Sequence, residues 1–220
     1  ESNRYFELFS KQKPSDPRSS LFANAKNYLE ELKKVSNRYS IEDANVNTEF
    51  SDYGGAFYDG SLVFTSSRKN SGLSKRIHSW TDQSFSKLYR STINSSGGLE
   101  KVELLDKSLD TKFNEATAVF TNDGITVYFT RNNYNNGKKG KDDNDVILLK
   151  LYKAELSDGK WDNVQELPFN SDVYNCAHPA LSLDNKTLYF ASNMPGTLGS
   201  SDLFKVSIND DGSFGTPVNL

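Results

Sequence analysis

The sequence has little of several things that common site types require. Cys176 is the only cysteine and there are two histidines, so neither an intrachain disulfide nor a cysteine-based zinc site can form. The formal net charge is −3, which removes the electrostatic case for nucleic acid as a partner. No apolar run approaches the roughly 20 residues that span a bilayer, so the chain itself is not predicted to be transmembrane.

The residues that are abundant favour short strands joined by polar turns. The chain has 11 tyrosines, 14 phenylalanines and 14 glycines, and serine and asparagine are frequent throughout. Aromatic residues are enriched in strands, whereas glycine, asparagine and serine are enriched in turns. The composition therefore predicts an all-β fold for most of the chain.

The beginning of the chain has a different pattern and is predicted to be helical. Phe6 and Phe9 recur at helical spacing before Pro14 and Pro17 interrupt the segment. A second helix is predicted from Pro17, with an apolar stripe that packs on a neighbour and consists of Leu21, Phe22, Ala25, Tyr28, Leu29 and Leu32. We expect residues 1–38 to be a short helical segment, which could be the end of a tetratricopeptide-like domain.

After this segment, the sequence contains three copies of a hairpin unit that recurs about every 60 to 65 residues. The copies lie at 47–68, 110–133 and 171–193. In each copy a strand of small residues meets a tight turn of a type that tolerates positive φ, namely Asp59-Gly60, Asp123-Gly124 or Asp184-Asn185. A second strand with an aromatic centre follows, namely Leu62-Val63-Phe64, Val127-Tyr128-Phe129 or Leu188-Tyr189-Phe190.

Two further strands complete each unit. Third strands are predicted at 87–90, 150–153 and 202–205, and fourth strands follow the turns at Gly97, Asp158 and Asp211. Four antiparallel strands per unit are typical of one β-propeller blade, which gives blades at 39–108, 109–168 and 169–220. Because propellers close with about four to eight blades, we expect the ring to be incomplete here and more blades after residue 220. Residues 39–42 could supply a closing strand, a hypothesis based on their position.

One stretch of the third unit carries a specific resemblance. Residues 177–204 read AHPALSLDNKTLYFASNMPGTLGSSDLF, which resembles the WD-type repeat S-P-D-G-K-x-L-Y-F-x-S of TolB-like propellers. Leu183 stands where that repeat has proline, and Asn185 stands where it has glycine. With residues 131–143 and 208–220, the chain resembles Bacteroidota outer-membrane proteins of the OmpA family, which place tetratricopeptide-like helices before a propeller.

The resemblance implies a function as well as a fold. It implies a periplasmic protein associated with the outer membrane, whose partners are subunits of an outer-membrane complex for secretion, gliding or outer-membrane protein assembly. Peptidoglycan would be held by a C-terminal OmpA-like domain that is absent from these residues. The predicted function is a non-catalytic scaffold or adaptor without a cofactor. The alternative is a periplasmic propeller that binds or cleaves glycans, because fold alone does not settle function.

Cys176 and His178 invite a metal or nucleophile interpretation, which the rest of the sequence does not support. A soft-metal site needs three or four convergent ligands, and His78 belongs to another blade's loop. No nucleophile signature accompanies the pair, so we expect His178 to hydrogen-bond between blades. Asp202 is expected to hold a blade turn through its side chain.

Two long polar loops are the predicted partner-binding segments, because loops on rigid scaffolds often carry recognition. They span 69–85 and 132–145. Trp80 could be a binding anchor or could pack on its own blade, and we expect packing. Aspartates of the second loop could bind calcium, but their order departs from an EF-hand and the lysines oppose a cation. The candidate partner-binding residues are Arg76, His78, Trp80, Tyr134, Lys138 and Lys139.

Overall fold

The computed structural model describes residues 2–24, 28–35, 38, 40–69 and 76–220. For Tyr28 and Leu29 only the backbone is described. The chain divides into two compact units, Glu1–Asp43 and Ala44–Leu220. Part of the predicted apolar stripe, namely Ala25 and the side chains of Tyr28 and Leu29, therefore lies outside the described residues. Tyr39 of the predicted closing strand also lies outside them.

In its described part, the first unit has the helices α1 (Ser2–Gln12), α2 (Pro17–Asn24) and α3 (Tyr28–Val35). Asp16 precedes α2 and accepts a hydrogen bond from the Arg18 backbone amide at 3.0 Å, which satisfies a free N–H of the first turn. The Arg18 side chain also binds this carboxylate and lowers the pKa of Asp16 to about 2. Phe6 of α1 stacks on Phe22 of α2 at 5.2 Å. None of the described helices is long and apolar enough to cross a membrane.

The second unit is built from short antiparallel strands. In chain order the first eight are β1 (Asp52–Tyr58), β2 (Ser61–Ser66), β3 (Ile77–His78), β4 (Gln83–Ser84), β5 (Lys87–Ile93), β6 (Leu99–Leu104), β7 (Glu115–Phe120) and β8 (Thr126–Asn132). The next eight are β9 (Tyr134–Asn135), β10 (Lys138–Lys139), β11 (Leu149–Ser157), β12 (Lys160–Glu166), β13 (Cys176–Leu181), β14 (Thr187–Ser192), β15 (Asp202–Ser207) and β16 (Val218–Asn219). Residues 40–42 form no strand.

These strands form three four-stranded sheets, ordered β1-β2-β5-β6, β7-β8-β11-β12 and β13-β14-β15-β16. The all-β prediction and the three repeated hairpins are confirmed, because β1, β7 and β13 each pair with the next strand. Asn185 adopts a φ of 59° in its turn, so asparagine replaces the glycine of the related repeat without losing the turn. The first strands are neighbours, since β1 contacts β7 and β7 contacts β13.

Each first strand carries a β-bulge at the same position of the repeat. The residues there are Gly54, Thr117 and His178, with φ values of 66°, 40° and 58°. The Thr117 amide donates to Thr65 Oγ1 of the preceding sheet at 2.8 Å. The His178 amide donates in the same way to Thr130 Oγ1 at 2.9 Å. The bulges therefore join successive sheets where the first strands meet.

The hydrophobic core consists of two layers, one between each pair of neighbouring sheets. The layer between the first and second sheets includes Val63, Leu88, Phe120, Phe129, Tyr152 and Trp161. The layer between the second and third sheets includes Tyr128, Leu151, Leu167, Leu188, Phe190 and Phe204. The second sheet thus packs one face on the first sheet and the other face on the third sheet, which is the burial expected of stacked repeated units.

A buried ion-pair network reinforces the first layer. Glu115 of the second sheet accepts hydrogen bonds from Lys87 Nζ of the first sheet at 2.8 Å and from Thr111 Oγ1 at 2.5 Å. Arg131 Nε lies 3.2 Å from the same carboxylate, and its guanidinium stacks over Tyr152. Burial raises the pKa of Glu115, while the two neighbouring cations act in the opposite direction.

The linkers between sheets repeat one hydrogen-bonding pattern. Asn114 accepts from the Ser86 amide at 2.9 Å, and Asn175 accepts from the Leu149 amide at 2.8 Å. A lysine at the start of the third strand also reaches the linker in both cases, with Lys87 bound to Asp110 and Lys150 bound to Asp172. These contacts fix each sheet to the segment that starts the next one.

Candidate binding surface

The predicted partner-binding loops each contain a small hairpin that the sequence analysis did not predict. The β3–β4 hairpin lies between β2 and β5, and the β9–β10 hairpin lies between β8 and β11. The second hairpin turns at Asn136 and Gly137, with φ values of 48° and 80°. Asn-Gly is a strong signal for a two-residue hairpin turn, so this element could have been predicted from the sequence.

A continuous row of rings connects the two hairpins. His78 of β3 meets Phe85 edge-on at 5.5 Å, and Phe85 meets Phe113 edge-on at 6.2 Å. Phe113 then contacts Tyr134 of β9 at 5.0 Å. We call the two hairpins with these four rings the hairpin surface. The contact between Phe85 and Phe113 was not predicted from the sequence. The two residues lie 28 positions apart, in segments next to different sheets.

Trp80 lies in the turn of the β3–β4 hairpin and is 90% exposed. The expectation that it packs on its own blade is therefore wrong. The reason is geometric, because Trp80 lies at the turn of the hairpin. His78, rather than Trp80, contacts Phe85. An exposed tryptophan on a hydrogen-bonded turn is available to a partner.

Basic side chains surround the hairpin surface. Lys112 lies 5.0 Å from the ring centre of Tyr134, and Arg76, Lys138 and Lys139 are exposed on the hairpins. All six candidate partner-binding residues thus lie on or directly beside the two hairpins, which the aromatic row connects. Aromatic and arginine side chains are enriched at protein-binding surfaces, whereas lysine is depleted at their centre, so the lysines fit the rim of such a surface.

Both histidines line one pocket beside this surface, which we call the central pocket. It has a volume of about 290 Å³ and lies where the three first strands meet, with Tyr53, Ala116 and His178 contributed by the three sheets. His78 and Gln83 of the β3–β4 hairpin complete it. The sequence could not predict this convergence, because it depends on how the sheets stack.

His178 has the predicted structural role, since its Nδ1 lies 3.4 Å from Thr117 Oγ1 of the neighbouring sheet. Cys176, two positions earlier, is fully buried with its sulfur 3.6 Å from Ser192 Oγ. Burial raises the pKa of the Cys176 thiol to about 11. The thiol therefore stays protonated near neutral pH and out of contact with solvent.

The described residues contain no group of three or more His, Cys, Asp or Glu side chains placed to hold a metal ion. In the 132–145 loop, Asp142 accepts the amides of Asn144 and Val146, and Asp145 pairs with Lys141 at 2.5 Å. These carboxylates accept hydrogen bonds within the loop or pair with a lysine, and they do not converge on a common point.

Asp202 holds the turn beside its strand through side-chain hydrogen bonds, as predicted. Its Oδ2 accepts from the Leu198 amide at 2.7 Å and from Asn219 Nδ2 at 2.8 Å. The Leu198 amide is the main cause of a lowered Asp202 pKa, and the Asn219 amide adds to it. This carboxylate therefore joins the loop before β15 to β16.

Comparison with solved structures gives distant similarities, and two of them are to puromycin-hydrolysing enzymes. No protein-family model and no curated protein matches the chain. A Mycobacterium tuberculosis puromycin-hydrolyzing peptidase is similar over 80% of this chain and 22% of its own, with 12% identity and a TM-score of 0.47. A puromycin hydrolase is similar over 82% of this chain and 34% of its own, with 12% identity and a TM-score of 0.40. The chain therefore spans less than half the length of either structure.

Proposed function

We propose that the three sheets are blades of a β-propeller, and that the protein is a non-catalytic scaffold or adaptor in an outer-membrane-associated periplasmic complex. The propeller proposal is supported by the repeated four-stranded order and by the two core layers between successive sheets. Blades that pack face to face around a common centre produce this arrangement. The location is supported by the resemblance of residues 131–143, 177–204 and 208–220 to OmpA-family proteins.

The hairpin surface is the observation that carries the protein-binding role. Its ring row spans two sheets, so a partner would meet a preformed surface and pay little ordering entropy. Trp80 projects from it as an exposed anchor. Tryptophan, tyrosine and arginine dominate binding energy at interfaces, and all three residue types occur here as Trp80, Tyr134 and Arg76.

The non-catalytic part of the proposal has separate support. The one cysteine is buried and protonated. The described residues that line the central pocket include no carboxylate, whereas glycan-cleaving enzymes use a pair of them. Glu115, which precedes the lining residue Ala116, is a buried carboxylate that is already paired with Lys87 and Arg131.

The test is affinity purification of the full-length protein from its native membrane, followed by mass spectrometry of the bound proteins. We expect stoichiometric recovery of outer-membrane complex subunits with the parent protein. Trp80→Ala should weaken the binding of these subunits by about 2 kcal/mol, which corresponds to about 30-fold in affinity. Their recovery should fall accordingly. Leu183→Ala is the matched control, because Leu183 is also exposed but lies in the β13–β14 turn at the opposite end of the sheets.

Two outcomes would contradict the proposal. Recovery of the protein alone would remove the scaffold role, and weight would move to the glycan-binding or glycan-cleaving alternative. Recovery of the same subunits at the same level with Trp80→Ala would show that the partner binds elsewhere.

A further inference from the structure

Among its described lining residues, the central pocket contains no Asp, Glu, Lys or Arg side chain. A neighbouring cleft of about 330 Å³, which shares Ser84 with it, is by contrast lined by Arg76, Lys87, Asp110 and Lys112. A ligand of the central pocket would therefore be recognised by hydrogen bonds and shape rather than by ion pairing. An ionised ligand would lose its hydration there without gaining a partner of opposite charge.

Hydrogen bonds hold the polar side chains of the central pocket in place and leave some of their nitrogen atoms free to bind a ligand. Ser51 and Ser67 both donate to Gln83 Oε1, at 3.1 and 2.6 Å, which fixes the amide and leaves its Nε2 without a partner in the described residues. His78 Nδ1 lies 3.5 Å from Thr81 Oγ1, and His178 Nδ1 is engaged with Thr117. Both imidazoles therefore keep Nε2 for another group.

Two of the bulge residues beside the same pocket have a strained backbone conformation. Thr117 and His178 both have positive φ, a conformation that costs about 1 kcal/mol or more for a residue with a Cβ. The bulges place the His178 ring in the pocket lining. They also interrupt the free edges of the first strands, so a peptide cannot add there as a further strand.

We propose that the central pocket binds one ring of a neutral saccharide. Sugar hydroxyls donate and accept at once, so they suit the Gln83 amide and the two imidazole Nε2 atoms. The half-exposed ring of Tyr53 offers an aromatic face for the sugar's C–H groups, and Ala116 with Leu149 forms a small apolar patch. The volume of about 290 Å³ is at the lower end for small-molecule sites and suits a single ring. The saccharide proposal does not rest on the proposed protein partner, although His78 and Gln83 belong to both the pocket lining and the hairpin surface.

The test is titration of the 220-residue chain with N-acetylglucosamine, glucose and an uncharged tripeptide, followed by amide chemical shifts. We expect saturable shifts at Tyr53, Gln83 and His178 with at least one sugar below about 10 mM, where a Kd of about 1 mM gives near-saturation. His178→Gly removes the imidazole and keeps a residue that tolerates the positive φ. It should weaken sugar binding at least about tenfold.

Asn185→Gly is the matched control, because Asn185 also has a positive φ and lies in the β13–β14 turn, away from the pocket. It should bind sugar as the parent does. The proposal is overturned if neither sugar shifts these residues, if the tripeptide alone binds, or if His178→Gly binds sugar with unchanged affinity.

Discussion

At the scale of single residues, side chains with local partners were predictable, and those that depend on stacking were not. Asp202 and the Asn185 turn follow from short-range geometry, so the sequence sufficed for both. The convergence of His78 and His178 on one pocket depends on how segments 100 positions apart stack. Periodicity and turn signals contain no information about such distances.

The buried thiol gives a direct prediction at this scale. Because burial raises the pKa of Cys176 to about 11, the native protein should react with iodoacetamide at pH 8 at least about 100-fold more slowly than in urea. Peptide mass spectrometry over time measures both rates. Ser200→Cys is the control, since residue 200 is exposed in the same sheet's loop and should react quickly in the folded state. Equal native and unfolded rates at Cys176 would contradict its burial.

Asp172 gives a pH prediction. The Lys150 ammonium at 2.6 Å, and then the Asn133 amide at 2.7 Å, lower the Asp172 pKa by favouring the ionised carboxylate. This contribution to stability is present above the unfolded pKa of about 3.9 and is lost as pH falls through the folded pKa.

Asp172→Asn should therefore lower the free energy of unfolding at pH 7 by no more than about 1 kcal/mol, because the pair is partly exposed. The difference from the parent should vanish in acid. Urea unfolding at neutral and acid pH measures it, with Asp210→Asn as an exposed control. A difference that stays constant into acid would assign the effect to something other than this charge.

At the scale of strands and sheets, the repeat was readable because each hairpin carries its own turn and aromatic centre. The four strands per unit follow from alternation and turn residues, and all three sheets have them. The bulges at Thr117 and His178 were not readable, because an extra residue in one strand leaves the alternation on either side intact. The β9–β10 hairpin was readable from Asn136-Gly137 and was overlooked.

The buried network between the first two sheets gives a prediction for these elements. Glu115→Ala leaves Lys87 and Arg131 buried without their shared carboxylate, so we expect a loss of about 3 to 5 kcal/mol in the free energy of unfolding. Glu103→Ala is the control, because Glu103 pairs with Arg90 in an exposed position and should cost about 1 kcal/mol or less. Similar losses for both variants, measured by urea unfolding, would refute the buried network's importance.

At the scale of the whole molecule, the third sheet presents a face that its predecessors bury. Leu88, Leu151 and Leu203 occupy equivalent positions, opposite Thr65, Thr130 and Ala191 of the adjacent strand. Leu151 is fully buried, whereas Leu203 is 62% exposed. A further blade, as predicted from the sequence, would cover this face with a sheet of the same pattern. Exposed apolar faces of this kind are typical of interaction sites.

The two leucines make that prediction measurable. In the 220-residue chain, Leu151→Ala should cost about 2 to 5 kcal/mol, while Leu203→Ala should cost less than about 1 kcal/mol. In any polypeptide in which a further sheet packs on the third, Leu203→Ala should become as costly as Leu151→Ala. An unchanged small effect in the full-length protein would show that no blade packs on the third sheet.

The central claim is that the hairpin surface contacts a protein partner, and site-specific photo-crosslinking in native cells tests it most directly. A photoreactive amino acid at position 80 replaces an exposed anchor on that surface, and one at position 183 replaces an equally exposed residue at the opposite end of the sheets. The account predicts a discrete crosslink from position 80 to a subunit of an outer-membrane complex, with none from position 183. No crosslink at position 80, or the same products from both positions, would contradict it.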